Sequence, residues 1–357
     1  IDGVDAVLAE IGDDHFRIVG ANTTPFPADL HARLQRLVET PQTSLRDLGS
    51  LDVAVGRFFG ECALNLIASS GKRPEDVAAI GSHGQTVYHE PLGTEPFSLQ
   101  LGDPNVIAAM TGSTTVADFR RLDVALGGQG APLVPAFHAW AFGHTREQRV
   151  VVNIGGIANI TVLAPGRDVT GFDTGPGNTL LDVWIRASRQ KSYDDGGRWA
   201  AGGVVDKALL GACLAEPFFR LRPPKSTGRE LFNREWLDKR LAQRGAGVSA
   251  VDVQATLAEL TATTIAAAIR DELPDCRAVI VCGGGVHNDD LMARLRRLTA
   301  AQVTTTDSHG VPPDWVEGAA FAWLACARLR GLAGNVPTVT GARRPAILGG
   351  VYWGRTP

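Results

Sequence analysis

The stretch Gly171-Phe172-Asp173-Thr174-Gly175-Pro176-Gly177-Asn178 joins a short apolar, strand-like segment to a helix-like run that begins at Thr179. Glycine and proline follow Asp173 closely, so the chain must turn sharply there. The start of a helix presents free N–H groups and the positive end of its dipole, which favour anions. Asp173 is therefore either a turn cap, as aspartate before glycine commonly is, or a base beside an anion site.

Length and composition describe an ordinary globular chain with enough material for two domains. The chain has 357 residues, of which 44% are hydrophobic and 20% charged. The formal net charge of -3 gives no electrostatic reason to expect nucleic acid or an anionic membrane as a partner. Five scattered cysteines without a C-x-x-C pair favour reduced thiols in a cytoplasm. No run of about 18 apolar residues occurs, so no membrane span is predicted.

Polar residues follow two predicted strands in the first half of the chain. Residues 77–80 precede Ser82-His83-Gly84-Gln85-Thr86, and residues 114–117 precede Asp118-Phe119-Arg120-Arg121. Ligands collect at the carboxyl ends of strands in an α/β sheet, which favours a ligand site at both places. The alternatives are a plain loop for the first run and a surface ion pair between aspartate and arginine for the second.

The second half begins with a strand, a glycine turn and another strand. Residues 150–154 are followed by Gly155-Gly156 and by residues 157–163. Such a turn can bring backbone N–H groups against a phosphate. The same layout, less clear in its letters, opens the chain at Asp2-Gly3. The densest flexible stretch, residues 127–132, separates the two halves and predicts a domain boundary.

Three later features complete the pattern. A buried strand over residues 278–282 ends in Gly283-Gly284-Gly285, where a flat ring or a phosphate can lie on the backbone, although close helix-on-strand packing also requires glycine. Glu317 interrupts an apolar helix, either solvated at the helix start or aimed into a cleft. Residues 218–233 are predicted to form an exposed loop, which is either a substrate loop or a solvated connector.

Missing motifs exclude several familiar chemistries. The chain contains neither a G-x-x-x-x-G-K-[ST] loop nor a Gly-x-Ser-x-Gly elbow. Asp173-Thr174-Gly175 spells the aspartic-protease triplet, but no second copy exists to share a proton. The repeated hairpin layout, the strand-end aspartate and the late glycine turn together resemble the α/β fold of sugar kinases, actin and the heat-shock chaperones. That resemblance implies a two-domain actin-like/sugar-kinase fold with an inter-domain ATP cleft.

A closer resemblance, to the anhydro-N-acetylmuramic acid kinase family, covers nearly the whole chain. The motifs that carry it, in the family's order, are Asp2-Gly3-Val4-Asp5, Ser82-His83-Gly84-Gln85-Thr86, Ala117-Asp118-Phe119-Arg120, Asn153-Ile154-Gly155-Gly156-Ile157-Ala158-Asn159, residues 171–178 and Cys282-Gly283-Gly284-Gly285. Members of that family recycle cell-wall sugar. They add water across the 1,6-anhydro bond of anhydro-N-acetylmuramic acid and transfer the ATP γ-phosphoryl group to the released O6. The resemblance implies ATP and Mg²⁺ as cofactors, this sugar as substrate, and a homodimer.

The residue roles follow from the resemblance alone. It makes Asp173 the base that activates water for attack on the anomeric carbon. The phosphates would be held by Asn153, Gly155 and Gly156, the nucleotide by Gly283, Gly284 and Gly285, and the sugar by His83, Gln85, Arg120 and Glu317. Arg120 is a natural partner for the lactyl carboxylate. Asp2 is the candidate magnesium ligand, through water.

The predicted domains are residues 1–130, with residues 335–357 packing back on them, and residues 131–334. Family members begin with a strand and a Met-Ser-Gly-Thr-Ser loop before Asp-Gly, and this sequence starts at Ile1-Asp2-Gly3 without either. We expect a truncated sequence rather than a loss of activity. The alternative functions are a kinase for another sugar and an ATP-binding protein that changes shape without modifying a sugar.

Overall fold

The computed structural model describes residues 3–13 and 15–355 and divides the chain into two compact units. Unit 1 consists of Ile1–Ala141 and Glu317–Pro357, and unit 2 of Phe142–Val316. Asp2, the predicted magnesium ligand, lies outside the described residues.

Unit 1 combines short sheets with helices. Its strands are β1 (Gly3–Ile11), β2 (Phe16–Pro25), β3 (Ile80–Gly81), β4 (Gln85–Glu90), β5 (Phe97–Leu101), β6 (Thr115–Ala117) and β12 (Gly350–Tyr352). Its helices are α1 (Ala28–Glu39), α2 (Leu45–Ser69), α3 (Pro104–Thr111), α4 (Arg121–Ala125), α5 (Val134–Phe142), α12 (Val316–Leu329) and α13 (Pro337–Thr340), of which α5 and α12 each extend one residue past the unit boundary. The strands form the pairs β1-β2 and β4-β5 and the sheet β12-β6-β3.

Two of the helices of unit 1 form where their apolar spacing predicts them. Leu30, Leu34 and Leu37 recur at helical spacing in α1 and are all buried. Ser44 caps α2 by accepting a hydrogen bond from the Asp47 N–H. Predictions for the strands were less accurate, because the predicted strand 77–80 is reduced to β3 and the β4-β5 hairpin was not predicted.

The glycine-rich turn at residues 127–132 belongs to unit 1 and does not mark its end. Asp123 is fully buried. Its carboxylate accepts hydrogen bonds from the Gly130 N–H at 2.8 Å, from Asn335 Nδ2 at 2.6 Å and from Thr340 Oγ1 at 2.8 Å. Breaking these bonds would leave a buried carboxylate without hydrogen-bond partners, which costs free energy. The bonds therefore fix the turn to the C-terminal segment.

The boundaries of the two units therefore differ from those predicted at residues 130 and 334. In unit 1, Phe137 of α5 packs against Trp323 of α12, with ring centroids 6.3 Å apart. The C-terminal strand β12 pairs antiparallel with β6, with Gly350 opposite Ala117. The helix α12 therefore belongs to the same unit as the C-terminal segment, and the predicted division had assigned it to the other.

Unit 2 is an α/β unit around one sheet. Its strands are β7 (Arg149–Ile154), β8 (Ile157–Leu163), β9 (Thr170–Pro176), β10 (Ala278–Cys282) and β11 (Gln302–Thr305). Its helices are α6 (Thr179–Arg189), α7 (Arg198–Ala201), α8 (Lys207–Leu214), α9 (Arg234–Arg244), α10 (Ala250–Glu272) and α11 (Asp289–Leu298). The five-stranded sheet has the order β11-β10-β7-β8-β9.

The centre of this sheet is buried on both faces. Val150, Val151 and Val152 of β7 are each fully buried, as expected for a continuous apolar run covered by helices. Strand β8 pairs antiparallel with β7, and β9 pairs antiparallel with β8, whereas β10 pairs with β7 in parallel. The parallel pairing brings the carboxyl ends of β7 and β10, each followed by a glycine turn, to the same edge.

The prediction of an exposed loop over residues 218–233 is wrong at both ends. Phe218 and Phe232 are buried and pack edge to face, with ring centroids 5.8 Å apart. The longest exposed run in this segment is residues 220–224. Two aromatic anchors hold the segment on the core of unit 2, because large apolar rings gain free energy by leaving water.

No helix in the described part of the chain has the length and apolar character needed to cross a membrane.

Candidate active site

The glycine hairpin between β7 and β8 is held by the start of α6. The N–H groups of Gly177 and Thr179 donate to the Gly156 carbonyl at 2.9 and 3.1 Å, and the Asn178 N–H donates to the Gly155 carbonyl at 2.8 Å. The N–H groups at the helix start therefore fix the hairpin and are not themselves free to bind an anion. Among the described residues, the N–H groups of Gly155 and Gly156 have no hydrogen-bond partner.

The glycine turn after β10 lies beside this hairpin. A Cβ added at Gly283 would collide with Asn153 Oδ1, and one added at Gly285 would collide with the side chain of Ile154. Gly283 also adopts a φ of +79°, which favours glycine. In contrast, a Cβ at Gly284 would have no heavy atom within 4 Å. Two of the three glycines allow close packing, and the third borders open space where a ligand can lie.

Three polar side chains lie in a row across β7, β8 and β9. Asn153 is opposite Asn159, and Asn159 is opposite Asp173. Directly paired residues project from the same face of a sheet, so all three side chains share one face. Two strand spacings place the backbones of Asn153 and Asp173 about 10 Å apart. Asn159 thus joins the candidate site, although its sequence motif had not singled it out.

Asp173 is bound through one carboxylate oxygen. Its Oδ2 accepts hydrogen bonds from Ser226 Oγ and the Thr227 N–H, both at 2.9 Å. These donors are 53 and 54 residues away in sequence, so Asp173 does not cap its own turn. Burial raises the pKa of Asp173, the bonds from Thr227 and Ser226 lower it, and the charge of Glu230 raises it. No described residue bonds Oδ1, which leaves that oxygen available for chemistry.

Unit 1 contains a second polar cluster, built on a half-buried histidine and arginine. Arg120 Nε donates to His83 Nε2 at 2.8 Å, and Arg120 Nη1 donates to the Gly130 carbonyl at 2.6 Å. Burial, and then the charge of Arg120, lower the pKa of His83 to about 3, so the ring is neutral and Nε2 accepts. The surface ion pair considered for this motif involves Arg121 instead, which lies 3.4 Å from Asp118.

Glu317 faces a cavity of unit 1. The cavity has a volume of about 750 Å³, and Glu317, His83 and Gln85 are among its lining residues. The Glu317 side chain is exposed to the cavity, but protein atoms surround it on its other sides. This surrounding protein excludes part of the water and so raises the pKa of the carboxyl group. The charge of Arg120 lowers this pKa and that of Asp5 raises it. Three predicted sugar-site residues therefore line one cavity, and Arg120 joins them through His83.

The glycine hairpin with free N–H groups, the glycine turn beside it and the half-bound carboxylate are groups that phosphoryl-transfer chemistry can use. A family model described as "Anhydro-N-acetylmuramic acid kinase" matches residues 1–354. The chain belongs to the anhydro-N-acetylmuramic acid kinase family. The predicted family and enzyme class are confirmed, the structure is α/β as predicted, and membership of a kinase family implies ATP use and a sugar acceptor.

Relatives with this name match almost the whole chain. An anhydro-N-acetylmuramic acid kinase of Coxiella burnetii is 49% identical over 357 residues, which cover 99% of this chain and 95% of that protein. The kinase of Photobacterium profundum is 49% identical over 360 residues, which cover 99% of this chain and 96% of that protein. Two solved structures of other proteins also match the chain, at lower sequence identity. The activator of the 2-hydroxyisocaproyl-CoA dehydratase from Clostridium difficile with bound ADPNP has 12% identity and a TM-score of 0.45, covering 92% of this chain and 96% of that one. A ROK hexokinase from Thermus thermophilus has 14% identity and a TM-score of 0.31, and the match covers 90% of this chain and 99% of that one.

Proposed function

We propose that this protein opens the 1,6-anhydro ring of anhydro-N-acetylmuramic acid with water and phosphorylates O6 from ATP, giving N-acetylmuramic acid 6-phosphate for cell-wall recycling. The observation that carries the proposal is the half-bound Asp173, on the same sheet face as Asn153 of the strand that leads into the glycine hairpin. A base about 10 Å from a phosphate-binding turn leaves room between them for the attacking water, the C1–O6 bond that breaks and the phosphoryl group that O6 accepts.

The proposed reaction needs one base. Asp173 Oδ1 takes a proton from water while the water oxygen bonds to the anomeric carbon C1. The C1–O6 bond breaks, and O6 keeps the electron pair and bonds to the γ-phosphorus. The bond between the γ-phosphorus and its bridging oxygen breaks, and ADP leaves. Because phosphorus takes O6, no separate acid is needed to protonate the leaving oxygen. The proton on Asp173 then returns to solvent.

We assign the nucleotide to the two glycine turns. The N–H groups of Gly155 and Gly156 would bind phosphate oxygens, with Asn153 beside them, because backbone donors with no partner suit an anion. The turn formed by Gly283, Gly284 and Gly285 would hold the nucleoside, and the open space at Gly284 fits this role.

Magnesium, the homodimer and the cytoplasmic location stay predictions. Among residues 3–13 and 15–355, no group of three or more His, Cys, Asp or Glu side chains could hold a metal ion. Magnesium in phosphoryl transfer is typically held by one or two carboxylates together with the substrate phosphates, and there it neutralises developing charge. Asp2 remains the proposed ligand, through water.

We assign the sugar to His83, Gln85, Arg120 and Glu317. His83 and Glu317 both line the cavity of unit 1, and burial raises the pKa of the Glu317 carboxyl group, whose oxygens can accept hydrogen bonds from sugar hydroxyls. Arg120 uses Nε and Nη1 within the protein, so its Nη2 is the candidate for the lactyl carboxylate.

The test is to offer anhydro-N-acetylmuramic acid and ATP to the protein and identify the product by mass spectrometry and phosphorus NMR. Two forms should be compared, one starting at Ile1 and one with the Met-Ser-Gly-Thr-Ser loop placed ahead of Asp2. We expect N-acetylmuramic acid 6-phosphate and one ADP per sugar. A folded protein that phosphorylates a different sugar from a panel would overturn the substrate assignment. Slow ATP turnover that no sugar accelerates would favour a shape-changing ATP-binding protein.

A further inference from the structure

The segment Lys225-Ser226-Thr227-Gly228-Arg229, called the 225–229 loop below, is fixed on unit 2 from two sides. Lys225 Nζ donates to the carbonyls of Phe218 and Phe219 at 3.3 and 3.4 Å and lies 4.7 Å from the centroid of the Phe218 ring. The Lys225 carbonyl accepts the Asp173 N–H at 3.1 Å. These contacts hold the backbone of the loop in place beside strand β9.

The far end of the 225–229 loop places a cation beside the glycine hairpin. A Cβ built at Gly156 would lie 3.7 Å from Arg229 Nη2 and 3.8 Å from Arg229 Nε. Within the described part of the chain, the Arg229 guanidinium has no hydrogen bond or ion pair of its own. Its five N–H donors are therefore available next to a backbone turn whose own N–H groups are also free.

The buried hydroxyl group of Thr179 also lies beside Gly156. Thr179 Oγ1 lies 2.8 Å from the position that a Cβ at Gly156 would occupy, and Thr179 is 7% exposed. Its oxygen has no hydrogen-bond partner among the described residues. An unsatisfied buried polar group costs about 1–3 kcal/mol. A ligand oxygen that hydrogen-bonds to Thr179 beside Gly156 would remove that cost.

We propose that Arg229 and Thr179 form the subsite for the terminal phosphoryl group of the nucleotide, beside Gly156. This inference rests on the proposed function. A guanidinium binds two phosphoryl oxygens at once, and the charge that it neutralises is concentrated on the transferred group. The same loop holds Asp173 through Ser226 and Thr227. One rigid segment thus positions both the base and the cation for the phosphoryl group.

Binding measurements with two nucleotides isolate the terminal phosphate. The titration uses ADP and the non-hydrolysable β,γ-methylene analogue of ATP, with wild type, Arg229→Ala and Arg229→Lys. For Arg229→Ala we expect the analogue to bind about 10–100-fold more weakly, the value of a charged hydrogen bond, with ADP binding unchanged. Arg229→Lys should recover part of the loss. Arg222→Ala is the matched control, because Arg222 is exposed just before the 225–229 loop and has no hydrogen bond or ion pair within the described residues.

Thr179→Val removes the hydroxyl at nearly constant volume and should weaken binding of the analogue, but not of ADP, by about 5–10-fold. Equal losses for ADP and the analogue, or no loss for either, would overturn the subsite. If Arg229→Ala fails to fold, Arg229→Gln provides the same comparison. The proposed function fails separately, when wild type binds both nucleotides but does not phosphorylate the sugar.

Discussion

Asp173 lies in strand β9 and Asp123 in helix α4, and the surroundings of their carboxylates differ. Asp123 is fully buried, and three donors from Gly130, Asn335 and Thr340 use both of its oxygens. Asp173 is only partly buried, and its two donors share Oδ2. A carboxylate whose oxygens are all bonded holds structure together, whereas one with a free oxygen can accept a proton. The number of unused oxygens therefore distinguishes a structural aspartate from a candidate base.

The largest expected effect is on Asp173. Asp173→Asn keeps an acceptor for Ser226 and Thr227 but removes the base, so kcat should fall by about 10³-fold. ADP binding and the free energy of unfolding should stay close to wild type. Steady-state kinetics, calorimetric titration and denaturant unfolding measure the three quantities. Activity near the wild-type value would remove Asp173 from the role of base and end the distinction between the two aspartates.

Asp123→Ala tests the other half of the comparison. It leaves three donors of unit 1 without an acceptor, so the free energy of unfolding should fall by about 3 kcal/mol or more. The value of kcat at saturating substrates should fall far less than in Asp173→Asn. Urea unfolding followed by tryptophan fluorescence gives the stability. A variant as stable as wild type would show that the bonds of Asp123 do not hold the turn at residues 127–132.

The glycine turn at residues 283–285 offers a similar contrast, between a glycine that packs against protein and one that borders open space. Gly285→Ala forces a methyl group against Ile154 and should lower the free energy of unfolding by about 1–3 kcal/mol. Gly284→Ala adds its methyl group in open space, so stability should stay within about 0.5 kcal/mol while ADP binding weakens. Thermal unfolding and ADP titration of both variants measure the difference. The reverse pattern would mean that Gly284, not Gly285, is the packing glycine.

The smallest expected effect is a shift of the pH profile. Burial raises the pKa of Asp173, and the base is inactive when protonated, so kcat/KM should fall with decreasing pH at a higher pH than for an ordinary aspartate. Ser226→Ala removes a bond that lowers this pKa, so the acid limb should move to still higher pH. The rate on the high-pH plateau should fall by less than about tenfold.

A matched control for this shift is Ser249→Ala. Ser249 makes the same kind of bond, to Asp252 at 2.7 Å, at an exposed helix start. Its loss should leave the pH profile unchanged. An acid limb that stays in place or moves to lower pH in Ser226→Ala would show that Ser226 does not stabilise the charged form of Asp173.

Local pattern predicted the elements around the candidate site. Helix α6 begins at the predicted residue, Thr179, and strand β10 has the predicted bounds. Both elements have strong apolar runs with a glycine close to one end, Gly177 or Gly283, so neighbouring residues decide them. The glycine turns were predicted for the same reason, because few other residues can replace glycine where the backbone approaches a neighbouring strand.

Long-range contacts could not be predicted in this way. The bonds from Ser226 and Thr227 to Asp173 join residues more than fifty positions apart, and no periodicity in the sequence pairs them. The sequence around Phe218 and Phe232 contains proline, glycine and charge, so it favoured an exposed loop although both rings are buried. The boundary of unit 1 was misplaced because Asp123 ties a glycine-rich turn to the C-terminal segment.

The central claim is that Asp173 directs water to carbon while O6 bonds to phosphorus. Turnover of the wild-type protein in ¹⁸O-labelled water is the most direct test of this claim. The product should carry one ¹⁸O at C1 and none in the phosphate or in the oxygen that joins carbon to phosphorus. Unlabelled product incubated in the same water corrects for exchange at C1. Label in the oxygen that joins C6 to phosphorus, with C1 unlabelled, would show that water attacks C6 instead of C1 and would contradict the role of Asp173.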